Sequence, residues 1–303
     1  MSKKMSFAIV AAACAAILAS ATFASALSIT QTTVGTALGD ALGGGDGLTI
    51  TSVAITNGHE KQFGTYTGFT SGPVTIGDGI VLSTGKVMET TAEFNNGVHG
   101  TATTPNTDTG AYGTAEFNAY GPGHIANFEY SKDVAALTVN FTLSVASQVG
   151  FDFIFGSVEF PQYTSRYTDA FLAFLDGTDV GNQIVFDASG KAVQVGSTFA
   201  SALTTADTNT AFAVTHGLLR LETYTQGVLS AGSHSISFQI GDVNDRRLDS
   251  AVFISNFRAG EGPGGTNPHP VPEPSSLLLL SASLVALAAW CRTVMAYQSL
   301  RAM

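Results

Sequence analysis

Leu137, Val139, Phe141, Leu143 and Val145 alternate with Thr138, Asn140, Thr142 and Ser144. A period of two puts every large apolar side chain on one face of an extended strand, and such a strand is stable only when another layer covers that face. The period recurs in Val149, Phe151, Phe153 and Phe155, past a break at Ser147-Gln148 that reads as a hairpin. It recurs again in His234, Ile236, Phe238 and Ile240. Ala170 to Leu175 reads AFLAFL, apolar at every position, which places it inside a sheet with both faces covered, between Asp169 and a turn at Asp176-Gly177. Between Leu27 and Gly260 a helical period shows only around Thr33 to Leu42, where it stops at Gly43-Gly44-Gly45. Short strands separated by Gly, Asn and Asp turns predict an all-β fold, an antiparallel β-sandwich of jelly-roll type, with one short N-terminal helix. Thr90 to Gly123 is rich in Asn, Thr and Gly and is expected to be a surface insertion with little order, with a binding loop as the alternative.

Within this frame one stretch concentrates charge. Asp242, Asp245 and Asp249 lie between the strand HSISFQI and the strand AVFISNF. Hard oxygen donors so close together suit calcium, with Asn244 adding an amide oxygen and Glu159 and Asp169, at the ends of other predicted strands, as the best remote ligands. The spacing is not that of an EF-hand, because Arg246 and Arg247 stand where a ligand and a glycine are needed. A structural reading competes: the aspartates cap turns and pair with Arg246 and Arg247. Two carboxylates also suffice in principle for glycoside hydrolysis, although nothing in the sequence specifies a cleft. Phe160, Tyr163 and Tyr167 cluster beside Glu159; they either stack on sugar rings or pack over the edge of the core. Six histidines (His59, His99, His124, His216, His234 and His269) show no metal-ligand spacing. Ser83-Thr84-Gly85 lacks the surroundings of a nucleophile elbow, and Gly43 to Gly47 lacks the Lys of a phosphate loop.

The two ends carry addresses. Lys3 and Lys4, the apolar run from Phe7 to Leu18, and Ala24-Ser25-Ala26 follow the order of a secretory signal peptide over 1–26, with Ala24 and Ala26 forming the cleavage site. A Gly- and Pro-rich linker, 260–270, follows the predicted domain at 27–259. Then come Val271-Pro272-Glu273-Pro274, an apolar stretch from Leu277 to Cys291, and Arg292 and Arg301. This order resembles the PEP-CTERM sorting signal of Gram-negative bacteria, over 271–303. The resemblance implies transient anchoring in the inner membrane by one helix, processing by an exosortase-type membrane protease, and delivery to the cell surface or extracellular space. Only one Arg directly follows the apolar stretch, where the family has a tight basic cluster.

Both cysteines, Cys14 and Cys291, fall in these end segments, so a doubly processed chain has no thiol chemistry and no disulfide. The net charge is −10, and trimming both ends removes four basic residues and one acidic, leaving about −13. Such a surface argues against a nucleic-acid partner, which requires a basic patch.

Four blocks in order carry a second resemblance: Gly64-Thr65-Tyr66, GIVLSTG from Gly79 to Gly85, FDFIFGSVEFPQYTSRYTDAFLAFLDG from Phe151 to Gly177, and IGDVNDRRLDSAVFI from Ile240 to Ile254. They resemble the choice-of-anchor L domain, found on bacterial surface proteins with alternative C-terminal anchors. The resemblance implies no general enzymatic activity. It points to a non-catalytic envelope or matrix protein with extracellular polysaccharide as a candidate partner; the alternative is a carbohydrate-active enzyme. The chain departs from the family at Ser157-Val158-Glu159-Phe160, where Ser-Glu-Glu-Tyr is usual, which removes one carboxylate and one phenol.

Overall fold

The computed structural model describes residues 27–260, except 46, 72–73, 92–104, 161–162, 165, 188, 198–209, 213–216 and 225–227, together with 269–270. The signal peptide at 1–26 and the sorting segment at 271–303 lie outside the described residues. So do most of the linker and the first part of the Thr90 to Gly123 stretch.

Two antiparallel sheets face each other. The larger contains β1 (Ser28–Gln31), β3 (Phe63–Thr67), β6 (Gly79–Ser83), β8 (Val149–Ser157), β11 (Gly217–Tyr224), β13 (Ser250–Ala259) and β14 (His269–Pro270), in the order β1-β3-β6-β13-β8-β11-β14. The smaller contains β2 (Leu48–Asn57), β7 (Ser131–Leu143), β9 (Ala170–Leu175), β10 (Val193–Gln194) and β12 (Gly232–Val243), in the order β10-β9-β12-β7-β2. A two-stranded ribbon, β4 (Thr70–Ser71) with β5 (Val74–Thr75), stands apart. The expected helix forms as α1 (Gly35–Leu42) and buries Leu38 and Leu42 against the core.

The period-two rows meet between the sheets. Leu137, Val139 and Phe141 of β7, Ile236, Phe238 and Ile240 of β12, and Phe171 and Ala173 of β9 face Phe151, Phe153 and Phe155 of β8 and Val252 and Ile254 of β13. Phe238 sits edge-on to Phe151 at 5.0 Å and parallel to Phe171 at 6.3 Å, contacts that add to the area term that drives the layers together. The outer faces are covered as well. Val81, Ile154 and Phe253 pack under Tyr66 and Phe69. Ala170, Leu172 and Phe174 pack under Phe117 and Tyr120, so AFLAFL is covered on both faces as its composition predicts.

Two expectations need correction. β7 and β8 are not a hairpin: β7 pairs with β12 and β2, whereas β8 pairs with β13 and β11. Residues 144–148 carry the chain from one sheet to the other. Both strands have one apolar face, and facing across the sandwich buries both faces, which side-by-side pairing does not do alone. The described half of the Thr90 to Gly123 stretch is also ordered. It contains α2 (Ala115–Tyr120), capped by the Thr114 hydroxyl, and Phe117 and Tyr120 anchor it on the smaller sheet. Two aromatic anchors suffice where aliphatics are few.

Candidate functional site at one end of the sandwich

Three inner rows end in carboxylates. On β12 the row Ile236, Phe238, Ile240 continues in phase to Asp242; before β9, Asp169 precedes Phe171 and Ala173 in phase; beyond β8, Phe151, Phe153 and Phe155 lead through Ser157 to Glu159. The strand period aims Asp242 and Asp169 into the space between the sheets, whereas Glu159 is placed by the turn beyond β8; Asp242 and Asp169 are 0 % and Glu159 is 1 % exposed. Asp249, just before β13, and Asp133, in β7, are buried beside them. Opposite Asp242, β7 takes one extra residue: the partners of Ile240 and Asp242 are Ala135 and Lys132, and Asp133 in the gap has a φ of 44°.

Hydrogen bonds divide these acids into satisfied and bare groups. Asp169 accepts from the Val243 amide at 3.3 Å and the Ser250 hydroxyl at 2.7 Å. Both oxygens of Asp249 accept from the Thr107 amide, at 2.9 and 3.1 Å, and the carboxylate fits because residue 85 is glycine: a Cβ there would lie 1.7 Å from Oδ2. Asp133 Oδ1 takes the Thr109 hydroxyl at 2.7 Å and Arg246 at 3.0 Å. In contrast, neither oxygen of Asp242 meets a donor in strict hydrogen-bonding geometry, although the Thr84 hydroxyl and the Asp169 carboxyl lie within hydrogen-bonding reach of it. Glu159 Oε2 and Asp133 Oδ2 are bare as well.

Burial and mutual repulsion push these acids up. Burial, then the charges of Asp169 and Asp249, raises Asp242 well above the carboxylate range. Burial, then Asp169 and Asp245, does the same to Glu159. Asp169 is pushed up to about 8 by burial, with hydrogen bonds to Ser250, Val243 and Asp242 opposing and Asp245 adding to the rise. Asp249 is raised by burial and, less, by Glu89 and Asp169. Among the described residues no three His, Cys, Asp or Glu side chains come together as a ready-made metal cage.

The loop between β12 and β13 faces the other way. Asn244 has its side chain fully engaged: Oδ1 accepts from the Glu129 and Tyr130 amides, and Nδ2 donates to the Asn127 and Arg166 carbonyls. It pins three segments together at a φ of 73°. Asp245 accepts from the Arg247 amide, and Arg246 joins Asp108 at 2.8 Å to Asp133 rather than pairing with Asp242, Asp245 or Asp249 as the structural reading expects. Outside this loop lies a polar cleft of about 640 Å³, lined by Asn106, Asp108, Tyr130, Lys132, Asp245 and Arg247 among others. Lys132 lies over the rings of Tyr112 and Tyr130, which are 74 % and 41 % exposed. In the cleft Asp108 is held below its ordinary value by the Gly110 amide and Arg246, whereas burial raises Asp245.

The aromatic trio behaves otherwise than a sugar platform requires. Phe160 is 8 % exposed and packs in the inner core, so it presents no face to a ligand. Tyr163 and Tyr167 are half-buried edge to face at 6.0 Å, with Arg166 over Tyr167.

The model of the choice-of-anchor L domain matches residues 28–257, all of the sandwich but the end of β13 and the short β14. The chain belongs to the choice-of-anchor L family. Behind that domain, the PEP-CTERM protein-sorting motif matches 270–292 and supports export to the bacterial cell surface. No curated protein matches the chain. Among solved structures, a family 35 carbohydrate binding module from an environmental isolate is similar at 13% identity and a TM-score of 0.21, over 59% of this chain and 86% of that one. A non-crystalline cellulose specific carbohydrate-binding module, CBM28, is similar at 14% identity and a TM-score of 0.24, over 52% of this chain and 89% of that one. Scores this low assign no ligand to the choice-of-anchor L domain described here. Among the described residues no helix is long and apolar enough to cross a membrane; the apolar stretch 277–291 lies outside them.

Several residues that build the site carry no motif. Gln62, fully buried, donates from Nε2 to the Ser83, Thr84 and Asp133 carbonyls, at 3.0, 3.0 and 2.6 Å. Thr107 and Asn106 reach it from the stretch expected to be a surface insertion with little order. Asp133 is a lone acid in a strand. Only its position opposite Asp242 in the register reveals its part.

Proposed function

We propose that this choice-of-anchor L protein is exported by a Gram-negative bacterium, sorted by an exosortase-type protease at Pro272-Glu273-Pro274, and displayed as a non-catalytic module that binds envelope or matrix polysaccharide. The order of the chain carries the sorting part: a family match that ends at 257 is followed directly by a sorting match at 270–292. Processing predicts a mature protein that lacks the segment after the motif. Mass spectrometry of the exported protein tests this, with Glu273→Ala retaining the tail; an intact C-terminus ending at Met303 on the wild type refutes it.

The cleft supports the binding part. Lys132 and Arg247 offer cations there that form no ion pair among the described residues, beside two exposed tyrosine rings, and such a surface suits a glycan bearing carboxylates. Glycan arrays and calorimetry with uronate-rich and neutral polysaccharides test it, with Tyr130→Ala and Lys132→Ala weakening the acidic ones. The hydrolase alternative has one observation in its favour: Asp108 and Asp245 line this cleft with their acidities pushed in opposite directions. Release of reducing ends, abolished by Asp245→Asn, would establish it in place of the binding reading.

A further inference from the structure

The larger sheet has one edge that is covered only in part. β11 pairs with β8 along its whole length, but on its other side it meets only the two residues of β14, with Leu221 opposite Pro270 and Glu222 opposite His269. Among the described residues no strand lies beside Gly217 to Arg220 on that side. Such an edge offers its backbone donors and acceptors to any extended chain. β14 is antiparallel to β11, so a chain continued past Pro270 runs along this open part. Without a bulge, the same register sets Val271 opposite Arg220, Pro272 opposite Leu219, Glu273 opposite Leu218 and Pro274 opposite Gly217, where β11 begins.

The composition of that segment suits an edge strand. Pro268, Pro270, Pro272 and Pro274 stand at every second position. Alternate residues of an extended chain turn their N–H and C=O groups to opposite sides, so all four missing donors fall on one side and the donors of His269, Val271 and Glu273 on the other. A sheet edge tolerates proline when its nitrogen faces solvent, which leaves those three donors for β11. The outward side then has no donor, and the sheet is closed to a further strand. Each proline also holds the residue before it in extended backbone, so pairing has little left to order. We propose that the sorting motif Pro272-Glu273-Pro274 docks on β11 as the continuation of β14 and completes the edge of the larger sheet.

The linker is long enough for this. β13 and β11 flank β8, so the chain crosses about 10 Å from one to the other. Residues 261–268, at about 3.3–3.6 Å each, reach farther than that and leave room to reverse direction. The tether makes the pairing intramolecular, so a short strand suffices. Recognition of a peptide by strand addition uses the same backbone groups, and a protease that reads the motif in extended form therefore competes with β11 for it. That competition rests on the sorting reading, whereas the docking stands without it.

The test uses the full chain with its tail, made in a bacterium that lacks the protease, with Cys291→Ser so that no native cysteine is left once the signal peptide is removed. Arg220→Cys and Val271→Cys are added. Directly opposed residues of an antiparallel pair have Cα atoms about 4.5–5.5 Å apart, within the span of a disulfide. Mild oxidation is expected to join this pair and not Arg220→Cys with Glu273→Cys, which is out of register. Without introduced cysteines, the Val271 and Glu273 amides are expected to exchange about tenfold or more slower than in an unstructured chain, and Val271→Pro to restore the unstructured rate at Glu273. In the native host Val271→Pro is expected to speed removal of the tail. Unprotected amides in the wild type with no cross-link overturn the docking, and joining of the out-of-register pair alone overturns the register. Equal removal rates in wild type and Val271→Pro overturn the competition. A docked tail that the native host never removes sinks the sorting reading and leaves the docking in place.

Discussion

Replacing Gln62 by methionine tests how the two sheets are held together beside the acids. Gln62 Nε2 serves three carbonyls, those of Ser83 and Thr84 at the end of β6 and that of Asp133 in β7, and its Oε1 accepts the His59 amide at 2.7 Å. Methionine has nearly the same length and fills the same space, so the perturbation is the loss of hydrogen bonds rather than a cavity. Each lost bond costs about 1 kcal/mol net, and a buried partner left bare costs about 1–3 kcal/mol. The His59 amide lies near the surface, where water replaces Oε1, so the cost falls on the three carbonyls. The expected total is about 3 kcal/mol. For a domain of this size each kcal/mol lowers the melting temperature by about 2–4 °C, which makes the expected fall about 6–12 °C by calorimetry. Gln62→Glu should be worse than the methionine variant, because it also loses the donors and adds a carboxylate next to Asp133. A fall of less than about 2 °C for Gln62→Met, or a glutamate variant as stable as wild type, would refute the view that this amide clamps the sheets.

Phe238→Ala removes a fully buried ring held between Phe151 and Phe171, and should cost about 3–5 kcal/mol in chemical denaturation with an unchanged slope. Gly85→Ala places a methyl 1.7 Å from Asp249 Oδ2; it should cost about 1–3 kcal/mol and accelerate hydrogen exchange of the Thr107 amide, whose acceptor is displaced. His234 contacts Asp176 at 2.6 Å through Nδ1 and the Ser230 carbonyl at 2.8 Å through Nε2; burial opposes its charging, but these acceptors outweigh that and raise its pKa. The stability that it contributes is therefore complete below the unfolded value of about 6.5 and is lost as the pH rises through the higher folded value. NMR titration should show His234 deprotonating later than a free histidine, and Asp176→Asn should bring it down.

Strand rows were legible in this sequence because their cause is local: a period of two needs no knowledge of the partner. Pairing was not, as β7 and β8 show, since each is one-faced and the choice between lying side by side and lying face to face depends on which strands elsewhere fill the sheet. The same distinction separates the two halves of the candidate site. Asp242 and Asp169 continue rows that are plain in the sequence: counting by twos from Phe238 and Phe171 places each acid on the inner face, whereas Glu159 lies past the end of β8 in a turn that the period does not govern. Asn244 and Asp249, taken with them by proximity, sit off that phase or beyond the strand and turn to local work. Gln62, Asp133 and Thr107 had no local signal, because each matters only through a carbonyl or carboxylate from a distant segment. An acid in phase with an apolar row is a contradiction at the level of the strand, since the period that buries the aromatic rings also buries the charge. The resolution is protonation: burial raises Asp242, Glu159 and Asp169, the last to about 8, and neighbouring carboxyls that share protons tolerate a site where bare anions do not.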